Sequence, residues 1–406
     1  MTGASADVRT DVRTDVRTDV RAGIEVQARA GVRRALRCDI FCRVVDNLGD
    51  AAVCWRLARQ LAAEHGWHPR LWIDTPTVLS KLVPGTRPGR MHQGVRIEHW
   101  REQDARLSAT APTQVPEVVI AAFACDLPAG YRKAMRPAHV VWLNLEYLSA
   151  EAWVDAHHGL PSPKPQGGLE HFFFPGFSVG SGGLLREADL LARRDAFCAD
   201  PWARQAFLSG LGLTPQPGDR WASMFCYPRA PVDAILEALH RDTSGGRWRV
   251  LVPAGVEIGQ VRPDLRETLI TPIPFVPQHD YDRLLWSCDL NWVRGEDSLV
   301  RALWSGRPFL WQAYPQHDNA HLAKLHALIE QWTATARPDP AVAQVWCQAM
   351  QAWNLDPATG DSPTEAMPAL LRSLPALQDA ARRWSQVQGQ HPDLASRLVA
   401  FVGERL

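Results

Sequence analysis

Residues Cys288 to Trp311, with the sequence CDLNWVRGEDSLVRALWSGRPFLW, decide the fold of this chain. Leu290 to Val293 is a short apolar run typical of a buried strand, and Gly295 interrupts it. The apolar residues that follow recur at helical spacing: Leu299, Val300, Leu303 and Trp304. Gly306 is placed to end that helix, and Pro308 to Trp311 supplies the next buried strand. The stretch therefore predicts a βαβ unit.

The turn of this unit is suited to binding a phosphate. Glu296, Asp297 and Ser298 follow the glycine, and we expect Asp297 or Ser298 to be the helix N-cap. A helix N-terminus after such a turn presents unpaired N–H groups and a positive dipole end, and Arg294 adds a charged fork. Neither GxGxxG nor GxxxxGK[ST] occurs here, so dinucleotide and P-loop sites lack a motif. The layout is typical of the donor half of two-domain glycosyltransferases that use nucleotide sugars; an ordinary crossover with a capped helix is the alternative.

Length and composition limit the classes of protein. The 406 residues favour two domains of ordinary size plus appendages. Lys plus Arg equals Asp plus Glu at 44 each, and this neutrality argues against a nucleic-acid partner. The eight cysteines are scattered without a CxxC pair, and no signal peptide opens the chain, so we expect a reducing cytoplasm. No apolar run approaches the roughly eighteen residues that span a membrane.

A second candidate site lies at the start of the first predicted domain. Cys38 to Val45 is typical of a buried strand, and Ala51 to Ala62 has the spacing of an amphipathic helix. Asp46 and Asp50 lie between them, where open α/β sheets place ligands. Asp50 at the N-cap position would stabilise the helix by about 1 kcal/mol. Two carboxylates exceed what one cap requires, so we predict a functional role for the pair.

Two long segments resemble the bacterial elongation factor P arginine rhamnosyltransferase family. They are DIFCRVVDNLGDAAVCWRLARQLAAEHG, beginning at Asp39, and FVPQHDYDRLLWSCDLNWVRGEDSLVRALWSGRPFLWQAYPQHDNAHLAKL, beginning at Phe275. Three shorter segments are also similar to that family: WLNLEYLSAEAWV from Trp142, FFFPGF from Phe172 and GGLLRE from Gly182. The chain departs from the family pattern in having Ala52 for glycine and His317 for an acid. Neither difference touches the acidic positions.

The resemblance implies a fold, a reaction and two substrates. The fold class would be α/β with the GT-B glycosyltransferase architecture, in which two Rossmann-like domains face each other across a cleft. The donor would be dTDP-β-L-rhamnose, and the reaction would invert the sugar carbon. The acceptor would be one arginine at a loop tip of elongation factor P (EF-P), which the sugar activates for rescue of ribosomes stalled at polyproline. No metal or other cofactor is implied.

Four segments follow from composition and the resemblance together. Residues 1–36, with their DVRT repeats, are expected to be a disordered arm, because no face of the repeat gathers enough apolar surface to order it. Residues 37–213 would form the acceptor-binding domain and residues 214–385 the nucleotide-sugar domain, with TPQPGDR from Thr214 as linker. Residues 386–406 would hold a C-terminal helix that returns to the first domain. Its apolar residues Leu394, Leu398 and Phe401 share one face.

Several polar and aromatic residues complete the predicted donor site. Phe275, Gln278 and Tyr281 lie on one strand-to-helix turn, where an aromatic face can stack on thymine and an amide can bond its edge. Tyr227, at the end of an earlier strand, would join them. Core packing is the alternative for each aromatic residue, and the resemblance favours binding. Asp280 and Asp282 look like a metal-binding DxD pair, but at a helix start they favour the dipole without a metal.

The reaction must overcome the poor nucleophilicity of arginine. Its guanidinium stays protonated and its lone pairs are delocalised. A carboxylate pair can grip the cation, hold one nitrogen against the anomeric carbon and accept the proton as the bond forms. We assign Asp50 as the general base, Asp46 as the orienting carboxylate and Glu296 as the donor-domain acid that fixes sugar or guanidinium. Asp297 and Ser298 would place backbone and hydroxyl donors on the diphosphate.

Two other functions remain compatible with the sequence. A non-catalytic scaffold on the same fold would use the acidic loop only to dock a basic loop of a translation factor, and it would not bind a donor. A nucleotide-sugar epimerase would turn over a dTDP-sugar without any protein acceptor.

Overall fold

The computed structural model describes residues 35–406, apart from residues 47, 102–103, 105–106, 108, 110, 136–138, 165–167, 316–319 and 355–365. The predicted arm lies outside the described residues except for its last two, and position 317 lies outside them too. None of the helices in the described ranges is both long and apolar enough to cross a membrane.

The first half of the chain forms an eight-stranded sheet. Its strands are β1 Arg37–Cys42, β2 His68–Ile73, β3 Met91–His92, β4 Val95–His99, β5 Val118–Ala122, β6 Val141–Leu145, β7 Pro161–Pro163 and β8 Leu169–Phe173. Their order is β3-β4-β2-β1-β5-β6-β8-β7, and all neighbours are parallel except the short edge strands β3 and β7. β5 and β6 are buried along their whole length, which is why they are continuous apolar runs in the sequence. The helices of this half are α1 Gly49–His65, α2 Pro76–Leu82, α3 Ala129–Met135 and α4 Trp153–His157.

The second half forms a five-stranded, fully parallel sheet. Its strands are β9 Arg220–Met224, β10 Trp248–Pro253, β11 Ile270–Ile273, β12 Leu290–Arg294 and β13 Phe309–Gln312, in the order β11-β10-β9-β12-β13. The remaining helices are α5 Leu190–Ala199, α6 Pro201–Gly210, α7 Val232–Arg241, α8 Pro263–Leu269, α9 Gln278–Ser287, α10 Gly295–Ser305, α11 Ala320–Ala336, α12 Pro340–Asn354, α13 Ala366–Arg372, α14 Leu374–Gly389 and α15 Leu394–Gly403.

Each sheet is doubly wound, with its strand order reversing beside one central strand. In the first sheet, β1 has β2 on one side and β5 on the other; in the second, β9 lies between β10 and β12. In such sheets ligands bind outside the carboxyl ends of the strands at this switch point. The loop after β1 and the turn after β12 are the two segments so placed, and the sequence singled out the same two.

Two adjacent leucines after β8 pack in different hydrophobic cores. Leu185 packs in the hydrophobic core of the first sheet, whereas Leu184 and Leu190 pack in the core of the second. Helices α5 and α6 also pack on the second half, where Phe197 contacts Trp286. The segment from Leu190 to Gly210 therefore packs with the second half, ahead of the linker predicted from Thr214.

The chain returns to the first half at its end, as predicted. The buried face of α15 lies in the core of the first sheet: Leu394, Ala395, Leu398 and Val402. Asp393 caps this helix by accepting a hydrogen bond from the Ser396 backbone N–H.

The βαβ unit predicted from Cys288 to Trp311 is present, with one change. Strand β12, helix α10 and strand β13 follow the predicted order, and Gly306 ends the helix in the left-handed conformation that glycine favours. The predicted N-cap is wrong, because the helix begins at Gly295 and Arg294 is its N-cap without a side-chain capping bond.

Candidate active site

Asp50 holds the loop that follows β1 in a fixed shape. Its Oδ2 accepts hydrogen bonds from the backbone N–H groups of Val45 (2.7 Å) and Asp46 (2.9 Å). Helix α1 begins at Gly49 with Leu48 as N-cap, so Asp50 is not the N-cap that its position suggested. Burial raises the pKa of Asp50, and the two backbone bonds oppose that rise. The result is a fixed carboxylate, more basic than an exposed aspartate.

Asp46 faces the second half of the molecule. Its Oδ2 accepts a hydrogen bond from the hydroxyl of Tyr227 at 3.1 Å, in the loop that follows β9. Burial raises the pKa of Asp46, while Tyr227 and the nearby charge of Arg294 lower it. Gly295, with φ of 66°, lies so close that a Cβ there would be 3.0 Å from Asp46 Oδ2. The acidic loop and the predicted phosphate turn are therefore in contact.

Glu296 reaches the same region from the first turn of α10. Its Oε2 accepts a hydrogen bond from the backbone N–H of Leu148 at 2.8 Å, and its Oε1 is 4.0 Å from the ammonium of Lys324. Burial raises the pKa of Glu296 to about 8, Lys324 opposes the rise, and Asp50 and Asp46 add to it. The three predicted acids are thus close enough to repel one another.

These three acids line one cavity of about 990 Å³ between the two halves. An aromatic wall completes it, in which the ring of Phe123 stacks on that of Tyr147 with centroids 4.6 Å apart. Phe123 and Ala124 both have left-handed backbone angles (φ 58° and 53°), which non-glycine residues adopt at a cost of about 1 kcal/mol or more. The side chain of Asn144 holds this turn by accepting from the Ala124 N–H at 3.1 Å. Strain of this kind is concentrated at binding and catalytic sites.

A second cavity, of about 640 Å³, adjoins the first and shares Asp46 and Gly49 with it. It contains all but one of the residues predicted to bind the donor: Phe275, Gln278, Tyr281, Arg294, Asp297 and Ser298. The exception is Tyr227, whose ring lies under the guanidinium of Arg294 (4.7 Å) and whose hydroxyl contacts Asp46. Residues of the first half, including Leu48 and Ala52, line the opposite wall.

Several donor-site side chains already have protein partners. The Gln278 amide donates to the carbonyl oxygen of Ala52 at 3.1 Å, which is a contact between the halves. Arg294 donates to the carbonyl oxygen of Cys226 at 2.6 Å, so one terminal nitrogen of its guanidinium already has a partner within the protein. The carboxylate of Asp297 is bound by two arginines, Arg56 and Arg301. The Asp297 side chain therefore orders the turn, and its backbone remains as the candidate phosphate donor.

The DxD-like pair takes part in ion pairs in this structure. Asp280 pairs with Arg283 and His279, whereas Asp282 is buried and pairs with Arg301 at 2.8 Å. The predicted interaction with the helix dipole therefore does not include the main partner of Asp282, which is Arg301. Within the described ranges, no group of three or more His, Cys, Asp or Glu side chains is placed to hold a metal ion.

Sequence reasoning missed the basic residues that support the site. Arg56, Glu187 and Arg301 form a buried ion-pair group with Asp297, and Lys324 lies beside Glu296. One signal was available, since Arg56 follows Val53 by three residues on the apolar face of α1, where a charge is unusual. The partners of Arg56 lie more than 100 residues away, so no local pattern could identify them.

Two doubly wound domains, with two adjoining cavities and opposed carboxylates between them, define a two-domain glycosyltransferase of the GT-B class. A plant glycosyltransferase structure, Arabidopsis thaliana UGT89C1 complexed with UDP, shares the fold with a TM-score of 0.50 at 10% identity, over 91% of this chain and 99% of that one.

Comparison with known proteins defines the family. The family model described as Elongation-Factor P (EF-P) rhamnosyltransferase EarP matches residues 38–403. Protein-arginine rhamnosyltransferases of Pseudomonas putida and Pseudomonas aeruginosa are 45% and 44% identical, each over 91% of this chain and 99% of the relative. A solved structure, described as the structural basis for EarP-mediated arginine glycosylation of translation elongation factor EF-P, matches with a TM-score of 0.61 and 33% identity, over 91% of this chain and all of that one. The chain belongs to the EarP family, which confirms the resemblance found in the sequence.

Proposed function

We propose that this chain transfers L-rhamnose from dTDP-β-L-rhamnose to a guanidinium nitrogen of one arginine on EF-P, with inversion at the sugar carbon. One observation carries the proposal: Asp46, Asp50 and Glu296, contributed by both halves, line a single cavity that shares Asp46 and Gly49 with the cavity of the predicted donor residues. A cationic acceptor and a nucleotide sugar can therefore meet at that junction. The family and the names of its members support the choice of arginine, rhamnose and EF-P.

The acidic cavity has the chemistry that an arginine acceptor needs. A guanidinium has five N–H donors in a planar fork and matches carboxylates placed on more than one side. In the proposed role Asp46 and Glu296 orient the cation. Burial raises the pKa values of both carboxyl groups, and a bound guanidinium would lower them, so acceptor binding favours their charged forms.

Asp50 is the proposed general base. Its Oδ2 is held by the two backbone N–H groups, so Oδ1 is the oxygen left to accept a proton. In the proposed step a guanidinium nitrogen bonds to the anomeric carbon from the face opposite the phosphate. The bond from that carbon to the phosphate oxygen breaks, its electron pair leaves with dTDP, and the nitrogen's proton passes to Asp50. Attack from the opposite face inverts the configuration.

The donor turn supplies the proposed electrostatic stabilisation. The backbone N–H groups at the start of α10 and the hydroxyl of Ser298 would bind the diphosphate as charge accumulates on it. Arg294 adds a positive charge beside the turn. Phe275 and Tyr281 would contact the thymine. These groups are sufficient for a departing diphosphate without a metal ion or other cofactor, and metal independence is part of the proposal.

A direct transfer experiment tests the proposal. The purified chain is incubated with EF-P and dTDP-β-L-rhamnose, with a chelator present, and EF-P is measured by intact and peptide mass spectrometry. We expect a mass increase of one rhamnose on one arginine peptide, and nuclear magnetic resonance should show the inverted α-linkage. EF-P that binds the chain but gains no sugar would refute the proposal in favour of a scaffold. Turnover of dTDP-rhamnose to another sugar without EF-P would favour an epimerase. With a translation factor as acceptor, the proposed place of action is the cytoplasm.

A further inference from the structure

Five buried charged side chains and the partly exposed Arg59 form an ion-pair group beside the donor cavity, which Asp297 lines. Arg56 on α1 binds Glu187 (2.9 Å) and Asp297 (2.8 Å), and Arg301 on α10 binds Asp297 (2.9 Å) and Asp282 (2.8 Å). Arg59 adds a bond to Glu187 at 3.0 Å. Three cations thus balance three anions. Arg56 is only 1% exposed, so its bonds to Glu187 and Asp297 lie away from solvent.

Such a group is costly to form, which makes its position informative. Removing charges from water costs several kcal/mol per ion unless each is fully paired, and replacing a buried ion pair by apolar residues is often neutral or stabilising. The charges here are tightly coupled: the pKa of Glu187 lies well below its ordinary value because Arg56 adjoins it. Stability alone therefore gives little reason for placing six charges at this point.

Arg56 joins the two elements that carry the proposed chemistry. Helix α1 starts at the loop of Asp50, and Arg56 lies on it fewer than two turns later. Asp297 lies on α10 directly between Glu296, which lines the acidic cavity, and Ser298, which lines the donor cavity. A shift of Asp297 would therefore displace the acid and the phosphate donor together relative to the base.

We infer that Arg56 is a positioning residue for the transfer reaction: through Asp297 it sets the first turn of α10 at the correct distance from Asp50. The inference rests on the proposed function for its catalytic consequence. Arginine suits this task because one planar fork serves two partners at once, with Nε and one terminal nitrogen on Glu187 and the other terminal nitrogen on Asp297. A lysine ammonium retains the charge but cannot reproduce this fixed geometry.

The test compares Arg56→Met and Arg56→Lys with a matched control, Arg59→Met. Arg59 lies one turn further along the same helix and also pairs with Glu187, but its side chain is 34% exposed and it does not bind Asp297. For each protein, calorimetry with dTDP counts the competent donor sites, and rhamnose transfer to EF-P is then measured per site, well below the melting temperature. Loss of stability alone would reduce the number of sites and leave the rate per site unchanged.

We expect Arg56→Met to lower kcat per site about tenfold or more, with dTDP affinity within about threefold of wild type. Arg56→Lys should recover part of the loss, and Arg59→Met should remain within about twofold of wild type. Equal rates per site in Arg56→Met and wild type, or equal losses in Arg56→Met and Arg59→Met, would overturn the inference. If Arg56→Met does not fold, Arg56→Lys is the test variant. A rate per site in Arg56→Lys equal to that of the wild type then refutes the inference.

Small-angle X-ray scattering gives a measurement that needs no transfer. If Arg56 ties the halves together, the Arg56 variants should have a larger radius of gyration than wild type and Arg59→Met, and unchanged values would contradict the inference. A wild-type protein that transfers no rhamnose would refute the proposed function. The scattering measurement would still test whether Arg56 holds α1 and α10 together.

Discussion

Replacing Asp50 by asparagine separates catalysis from structure at the acidic loop. Asp50 has one oxygen committed to the backbone N–H groups of Val45 and Asp46. An asparagine carbonyl can accept the same two bonds, so Asp50→Asn keeps the loop and removes only the basic oxygen. Loss of a positioned general base reduces a rate by about 10² to 10⁴. Asp50→Ala removes both bonds as well, which leaves two N–H groups without their acceptor and costs about 1 to 3 kcal/mol for each that is buried.

The two variants should therefore fail in different ways. We expect Asp50→Asn to melt within a few degrees of wild type, to bind dTDP normally and to transfer rhamnose at least 10² times more slowly. Asp50→Ala should lose transfer and stability together. The measurements are thermal denaturation, calorimetry with dTDP and single-turnover mass spectrometry of EF-P. Transfer by Asp50→Asn within about threefold of wild type would refute the assignment of the base, and Glu296 would become the next candidate.

Three further predictions follow from the site and the sequence. Ser298→Ala should weaken dTDP binding by about 1 to 3 kcal/mol, and chelator should leave the wild-type affinity unchanged; calorimetry measures both. Burial raises the pKa of Glu296 to about 8, against about 4.3 in an unfolded chain, so its protonated form is favoured on folding. The free energy of unfolding of the wild type, compared with that of Glu296→Gln, should thus fall as pH rises from about 5 to about 8. The fall should be about 2 kcal/mol or less, because the Glu296 side chain is 23% exposed. Denaturant titrations of both proteins across this pH range measure it, and a difference that does not change with pH would contradict the prediction. Removal of residues 1 to 30 should leave melting temperature and transfer within error of the full chain, and loss of either would show that the arm docks on the domains.

The elements of the fold were predictable where local pattern and packing agree. The run from Leu290 to Val293 is buried on both faces of a central parallel strand, so it is continuously apolar and easily recognised. Gly306 was recognisable as a helix end because glycine favours the left-handed angle found there. The predicted start of α10 is three or four residues late, because the sequence indicates Gly295, which has a positive φ, as the turn before the helix.

The packing of the segment before Thr214 was hidden because it leaves no mark in composition. The proline-rich segment at Thr214 is a local interruption, whereas Leu184 already packs in the core of the second sheet and the neighbouring Leu185 in that of the first. Two neighbouring apolar residues that enter different cores have no distinguishing sequence signal. The partners of Arg56 were hidden for a related reason, because ion pairs between distant segments leave no periodicity.

The candidate site was predictable in its residues but not in their contacts. Spacing identified Asp46, Asp50 and the turn at Glu296, and the resemblance supplied their roles. The hydrogen bond from Tyr227 to Asp46 and the bond from Leu148 to Glu296 join segments about 150 residues or more apart. Burial raises the pKa values of Asp46 and Glu296 and these two contacts lower them, and no spacing in the sequence indicates either effect.

The return of α15 to the first sheet has a consequence for the order in which the protein is made. Residues Leu394, Ala395, Leu398 and Val402 fill the core of a sheet whose first strand begins at Arg37. During synthesis that sheet leaves the ribosome long before its last core residues do. The core of the first sheet therefore stays incomplete, with an apolar surface exposed, until α15 has been synthesised. Deletion of α15 should consequently destabilise the first sheet, which is the part of the protein that is synthesised first.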